Sequence, residues 1–271
     1  MRGHPFYAMF RPLMRTRILL FALLPLLACS SVRVSFTGEI RYAKTAEENY
    51  EAGLDEAKKE NWVEAGKFYE HVRTKYPFSK YAALAELRQA DAKYLQSRYP
   101  EAAESYAAFV TAHPTHEEAD YAAFRAALAR YKDAPTDFVL FPPAFEKDQK
   151  ELRAAAELLR AFLKERPTAK QGPEARKLLA EVQEKLAAHE AYVGDFYWKR
   201  ERWAGAAMRY EGLVRDFPGA PQEPEALLRI GKAYARLDEK FRAQQALQKL
   251  LARHPQDSRR AEAEKLLGQL R

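Results

Sequence analysis

The sequence of 271 residues predicts an all-α chain, a solenoid of five helix-turn-helix repeats. Three observations carry that expectation: a helix-favouring composition, an alanine-to-proline interval that recurs five times unchanged, and an apolar helical stripe after each of those alanines. Glycine occurs only 11 times while Ala, Leu, Glu, Lys and Arg dominate. Summed propensity therefore favours helix over nearly any window.

The N-terminus departs from this pattern. Arg11, Arg15 and Arg17 lead into the apolar run from Ile18 to Ala28. A basic region followed by so short an apolar stretch is the pattern of a secretory signal, too short to span a bilayer. Leu26-Leu27-Ala28-Cys29 resembles the lipobox at which exported lipoproteins are cleaved and acylated. Residues 1–28 thus read as a lipoprotein signal peptide, with translation starting at Met1 or Met14, and Cys29 as the lipidated first residue. Ser30, in place of an aspartate, resembles the sorting signal for the outer membrane. Cys29 is the sole cysteine, so the mature domain is expected to have neither a disulfide nor a cysteine-based metal site. The signal carries Arg2, Arg11, Arg15 and Arg17 and no acid, so its removal takes the formal charge from +7 to about +3. Mild charge spread along helices gives no case for nucleic acid. Residues 29–45 have no helical period and read as the acylated N-terminus and a tether, at most ~50 Å long when extended.

Beyond residue 45 the repeat decides the architecture. Ala65, Ala102, Ala155, Ala206 and Ala243 are each followed twelve positions later by Pro77, Pro114, Pro167, Pro218 and Pro255. Large apolar residues stand four and seven positions after each alanine, as in Tyr69 and Val72 or Tyr210 and Leu213. That spacing makes one helical stripe. The alanine marks the close crossing of two helices, and the proline ends the second. Twelve positions before four of the alanines stand Gly53, Ala90, Gly194 and Gly231, the small crossing residues of a first helix. The pattern resembles the tetratricopeptide repeat (TPR), a 34-residue helix-turn-helix. Successive prolines lie 37, 53, 51 and 37 residues apart, so repeats three and four are expanded. Repeat three is expected to place helix A over about Asp120 to Lys132 and helix B over about Glu146 to Glu165. Repeat four is expected to hold one long helix from Glu174 to Glu201. The boundaries that follow are 46–118 for repeats one and two, 119–172 for repeat three, and 173–271 for repeats four and five with a C-terminal helix.

No catalytic arrangement is present, and the chain does not read as an enzyme. His113 and His116 bracket Pro114 without an acidic ligand set and read as polar turn residues, so no metal or cofactor is expected. Glu117, Glu118 and Asp120 form an acidic first turn that complements the next helix dipole. The connection from Asp133 to Phe145, with Phe138-Val139-Leu140-Phe141-Pro142-Pro143, is unusually apolar. It either folds back on its own helices or docks a partner.

With lipobox, repeats and expansions in place, the chain resembles the BamD family, the TPR lipoproteins of the outer-membrane β-barrel assembly machinery. The specific stretches are Lys75 to Tyr81 (Lys-Tyr-Pro-Phe-Ser-Lys-Tyr), His113-Pro114-Thr115-His116, Phe145-Glu146-Lys147-Asp148-Gln149, and Tyr210 to Pro218. The resemblance implies a non-catalytic scaffold on the periplasmic face of the outer membrane, lipid-anchored through Cys29. Its implied partners are the BamA-type insertase, bound by the C-terminal repeats, and unfolded outer-membrane β-barrel clients. A generic periplasmic TPR adaptor, serving secretion or cell-wall coordination, is the rival reading.

Two sets of residues follow as candidates. On helix B of repeat four, Arg209 and Arg215 are expected to face the insertase. Arg209 is favoured because it precedes the family-like Tyr210 to Pro218 stretch, while Arg215 has the alternative role of capping the helix's negative end. For the client groove, Tyr50 and Leu54 of repeat one and Leu87, Asp91 and Tyr94 of repeat two are expected on the concave helix A side, with Arg88 and Lys93 near its edge. The competing role for Tyr50 and Tyr94 is packing between helices.

Overall fold

The computed structural model describes residues 40–136 and 142–270. The signal peptide, Cys29 and the loop residues Phe138, Val139, Leu140 and Phe141 therefore lie outside the described residues. The folded unit begins at Tyr42. Its helices are α1 (Ala46–Lys58), α2 (Trp62–Lys75), α3 (Lys80–Leu95), α4 (Tyr99–Ala112), α5 (Ala119–Asp133), α6 (Lys150–Glu165), α7 (Gly172–Trp198), α8 (Trp203–Asp216), α9 (Glu223–Arg236), α10 (Lys240–Arg253) and α11 (Arg260–Gln269). Each packs on the next in chain order, and α1 also reaches α3. The pairs α1/α2, α3/α4, α5/α6, α7/α8 and α9/α10 are five TPR-type repeats, with α11 closing the end.

The alanine-to-proline frame is the skeleton of this arrangement. All five crossing alanines are 0% exposed. The helix B of every repeat stops two residues before its proline, and the residue between them leaves the helical region, with φ from −128° to −131° in Tyr76, His113, Arg166, Phe217 and His254. Proline's ring disfavours the α conformation in the residue before it, which fixes the break. The N–H of that residue still bonds back to Val72, Phe109, Phe162, Leu213 or Leu250, the second stripe residue of each repeat. The helix A partners are equally constrained. A Cβ on Gly53 would stand 2.5 Å from the Tyr69 ring, one on Gly194 2.6 Å from Tyr210, and one on Gly231 2.6 Å from Leu247. Each large residue is the one four positions after the crossing alanine, so the two helices interlock through a small residue on one and a large one on the other.

The turns between helices A and B of repeats one, two, four and five share a backbone feature. Glu60, Ser97, Glu201 and Asp238, each five residues before the crossing alanine, adopt φ of 61°, 60°, 56° and 58°. None is glycine, and an L side chain is disfavoured there by about 1 kcal/mol. Glu201→Gly is therefore expected to stabilise the chain by about 0.5–1 kcal/mol, the steric relief exceeding the added freedom of the unfolded chain. A urea midpoint equal to or below that of the wild type would contradict this.

Both expansions have a structural basis. Helix α7 is 27 residues long, about 40 Å. Its first half, through Ala175, Leu178, Val182 and Leu186, completes the core built by α5 and α6. From Ala187 onward it belongs to the core of α8 to α11, as helix A of repeat four. It ends at Trp198, before Glu201, because Lys199 to Arg202 form the turn to α8. In repeat three, helix B begins at Lys150 rather than Glu146: Ala144–Glu146 is a short 3-10 turn. The buried Gln149 amide donates to the carbonyls of Ala144 (2.8 Å) and Lys147 (2.7 Å). Asp148 accepts the Lys150 N–H at 3.0 Å, which delays the helix start. The described end of the loop lies on α7, in the part that serves as helix A of repeat four: the Phe145 ring packs 5.4 Å from Tyr192 and its carbonyl contacts His189 Nδ1 at 2.7 Å.

Candidate functional site

The helix A residues of repeats one to three divide into two groups. Tyr50 and Leu87 each stand three residues before their crossing residue, Gly53 and Ala90, and so face helix B. Tyr50 is 8% exposed, its ring 6.0 Å from Tyr69 and 5.5 Å from Tyr81; Leu87 is fully buried. Neither leaves a surface to a ligand, which corrects the expectation that they line a groove. Leu54 is half-buried against the core of repeat one.

The remaining candidates join a polar cluster that ties α3, α4 and α5 together. Asp91 accepts the Tyr106 hydroxyl at 2.6 Å and the Tyr121 hydroxyl at 2.7 Å on one oxygen, and Arg88 Nη1 at 2.6 Å on the other. The second Arg88 nitrogen pairs with Glu118. Glu118 is thus an ion-pair partner, in addition to its place at the start of α5. Burial, reinforced by Asp91, raises the Tyr106 and Tyr121 hydroxyl pKa values far above the tyrosine norm, so both remain donors. Lys93 donates to Ser105 Oγ at 2.8 Å. Arg88 and Lys93 are therefore already engaged by the protein itself.

Arg125, on α5, is the residue that sequence reasoning missed. Its guanidinium lies 3.8 Å over the Tyr94 ring and within 5.7 Å of the Tyr106 and Tyr121 rings. Its Nε donates to the Tyr106 hydroxyl at 3.3 Å. Burial disfavours the Arg125 charge, yet Tyr106, Tyr121 and Asp91 outweigh it and hold the group firmly protonated. The available signal was positional: Arg88, Arg125 and Arg229 stand at one common interval after Tyr69, Tyr106 and Tyr210.

In repeat four, Arg209 is half-buried. Its Nη1 lies 3.4 Å from Glu190 on α7, and its Nε is buried without a hydrogen-bond partner. Arg215 is the exposed member of the pair, its side chain 74% accessible, and it forms a two-pronged bridge to Asp216 at 2.8 Å. It pairs with a side chain where the sequence allowed a helix-end cap. Arg215 borders a cavity of about 270 Å³ with Glu211, Val214, Leu227, Ile230 and Arg242. Exposed Met208 and Phe241 add apolar surface on α8 and α10.

His113 contacts Glu86 at 3.1 Å, and His116 Nδ1 accepts the Glu118 N–H at 3.1 Å. Both rings pack on Phe109. Among the described residues no cluster of three His, Cys, Asp or Glu is placed to hold a metal ion, and no helix is long and apolar enough to cross a membrane.

Comparison with known proteins places this frame. The outer membrane protein assembly factor BamD of Xylella fastidiosa (strain Temecula1) is 26% identical over 201 residues, covering 73% of this chain and 68% of that protein. BamD of Neisseria meningitidis serogroup B (strain MC58) is 24% identical over 218 residues, covering 79% and 82%. Among solved structures, the TPR2AB domain of yeast Sti1 in its pHSP90 complex aligns with a TM-score of 0.40 at 17% identity, over 83% of this chain and 82% of that one. The family model YfiO, described as an outer membrane lipoprotein, matches residues 42–250, from the start of the folded unit into α10, and the chain belongs to that family.

Proposed function

We propose that this protein is a non-catalytic scaffold of β-barrel assembly at the outer membrane, anchored on the periplasmic face through acylated Cys29. Repeats four and five hold a BamA-type insertase, and the helix A side of the N-terminal repeats receives unfolded barrel clients. The observation that carries this reading is the extent of the family match, which runs through all five repeats and not one repeat alone. Its relatives are named for outer membrane protein assembly.

Arg209 and Arg215 remain the insertase-facing candidates, with different tolerances. Reversing Arg209 would set a new carboxylate beside Glu190 and disturb α7 against α8. Among the described residues Arg215 hydrogen-bonds only to its neighbour Asp216, so its reversal leaves the core intact. Affinity-tagged chain, extracted from envelope membranes in detergent, is expected to bring down a BamA-type barrel protein. Arg215→Glu is expected to lower that yield about tenfold, equivalent to ~1.4 kcal/mol, with helical circular dichroism unchanged. No barrel protein with the wild type would overturn the assembly reading, and equal yields would remove Arg215 from the interface.

A further inference from the structure

We propose that Arg125 is a binding site for a carboxylate carried by an extended polypeptide lying on the helix A side of repeats two and three. The chain itself shows what this position holds. Arg88, Arg125 and Arg229 are equivalent by repeat register, each following the helix B tyrosine of the preceding repeat by the same interval. Arg88 is neutralised by Asp91, three residues on, at 2.6 Å, and by Glu118. Arg229 is neutralised by Glu225, four residues back, at 2.6 Å, while its guanidinium lies 4.5 Å over the Trp198 ring. Arg125 has the same aromatic support from Tyr94, at 3.8 Å. Both positions on the arginine's own helix that supply a carboxylate elsewhere are uncharged here: four residues back is Tyr121, and three residues on is Leu128.

The neighbouring acids do not fill the gap. Both Asp91 oxygens are taken, by the Tyr106 and Tyr121 hydroxyls and by Arg88. Glu174, at the start of α7, acts electrostatically on Tyr94 but forms no ion pair with Arg125. Nε, held by Tyr106, is the only Arg125 nitrogen with a partner among the described residues. The outer nitrogens keep the planar fork that matches a carboxylate. Stacking on Tyr94 fixes the fork, so little side-chain freedom is lost when a ligand arrives. The bound polypeptide thus supplies in trans the carboxylate that the sister arginines receive from their own chain.

This inference rests on the client reading above, and the test separates the two. The probes are three fluorescent ten-residue peptides of one sequence ending in an aromatic residue: a free C-terminal acid, its C-terminal amide, and an amide with aspartate at the penultimate position. They are titrated against the full chain in detergent. The free acid is expected to bind at least tenfold tighter than the amide, and Arg125→Gln, which retains an amide donor near Tyr106, is expected to abolish that preference. Arg125→Lys keeps the charge without the fork and is expected to retain only part of it. If the aspartate peptide matches the acid, with the same dependence on Arg125, the carboxylate is a side chain; if it matches the plain amide, the carboxylate is the chain terminus. Equal binding of acid, amide and aspartate peptides, or a preference that survives Arg125→Gln, overturns the carboxylate site alone. Absence of binding by all three overturns the client reading with it.

Discussion

Replacing Ala206 with aspartate is expected to lower the stability of the folded unit by about 3–5 kcal/mol, the cost of leaving an unpaired charge in a dry core. Ala206 is fully buried where α8 crosses α7, in a core shared with Ala187, Tyr210 and Leu213. The neighbouring position gives the control. Ala204 is exposed in the first turn of the same helix, where an acid is favourable to the helix dipole. Ala204→Asp is therefore expected to change stability by less than about 0.5 kcal/mol. The measurement is equilibrium urea unfolding followed by circular dichroism. Equal midpoints for the two aspartate variants would refute the crossing role of Ala206.

Ala206 was legible from sequence because its constraint is local and repeated. A crossing alanine, a large residue one turn later and a proline twelve positions on are all written in the chain, and each acts through sterics that no distant contact overrides. The A-to-B turns were not legible. Glu60, Ser97, Glu201 and Asp238 adopt the same positive φ, yet none is the glycine or asparagine that ordinarily marks a left-handed turn, and only the backbone reveals their common role. The start of α6 was misplaced for a related reason: the Gln149 side chain holds the preceding turn through backbone carbonyls, an arrangement that helix propensity does not report.

The candidate sites were legible in part. Periodicity identified the helix A residues but did not separate the face toward helix B from the open face, so Tyr50 and Leu87 were placed with Tyr94. Charge type alone nominated Arg88 and Lys93, whereas availability depends on partners: Asp91 and Glu118 for one, Ser105 for the other. Arg125 stands out only when the repeats are laid over one another, because its distinguishing feature is what Tyr121 and Leu128 fail to provide.

Glu223→Ala is expected to cost about 2–3 kcal/mol at neutral pH, because it strips the Gly219 N–H and the Arg253 guanidinium of their buried acceptor. Glu223 is 1% exposed at the start of α9. One oxygen accepts Arg253 Nη1 from the end of α10 at 2.7 Å; the other accepts the Gly219 N–H at 2.7 Å and lies 3.4 Å from His254 Nε2. One carboxylate thus fixes the turn between repeats four and five and the far end of the last helix B. Burial pushes its pKa up, but the Gly219 N–H, Arg253 and His254 push harder in the opposite direction, leaving it below the ordinary glutamate value of 4.5. A depressed folded-state pKa means that this stabilisation is complete above about 4.5 and fades as pH falls through the lower folded value. Glu223→Gln, nearly isosteric, isolates the charge: its deficit relative to wild type is expected to be full at pH 7 and to shrink steadily below pH 4.5. A deficit that stays constant from pH 7 to pH 3 would show that the charge contributes nothing and that Glu223 acts by shape and hydrogen bonding alone.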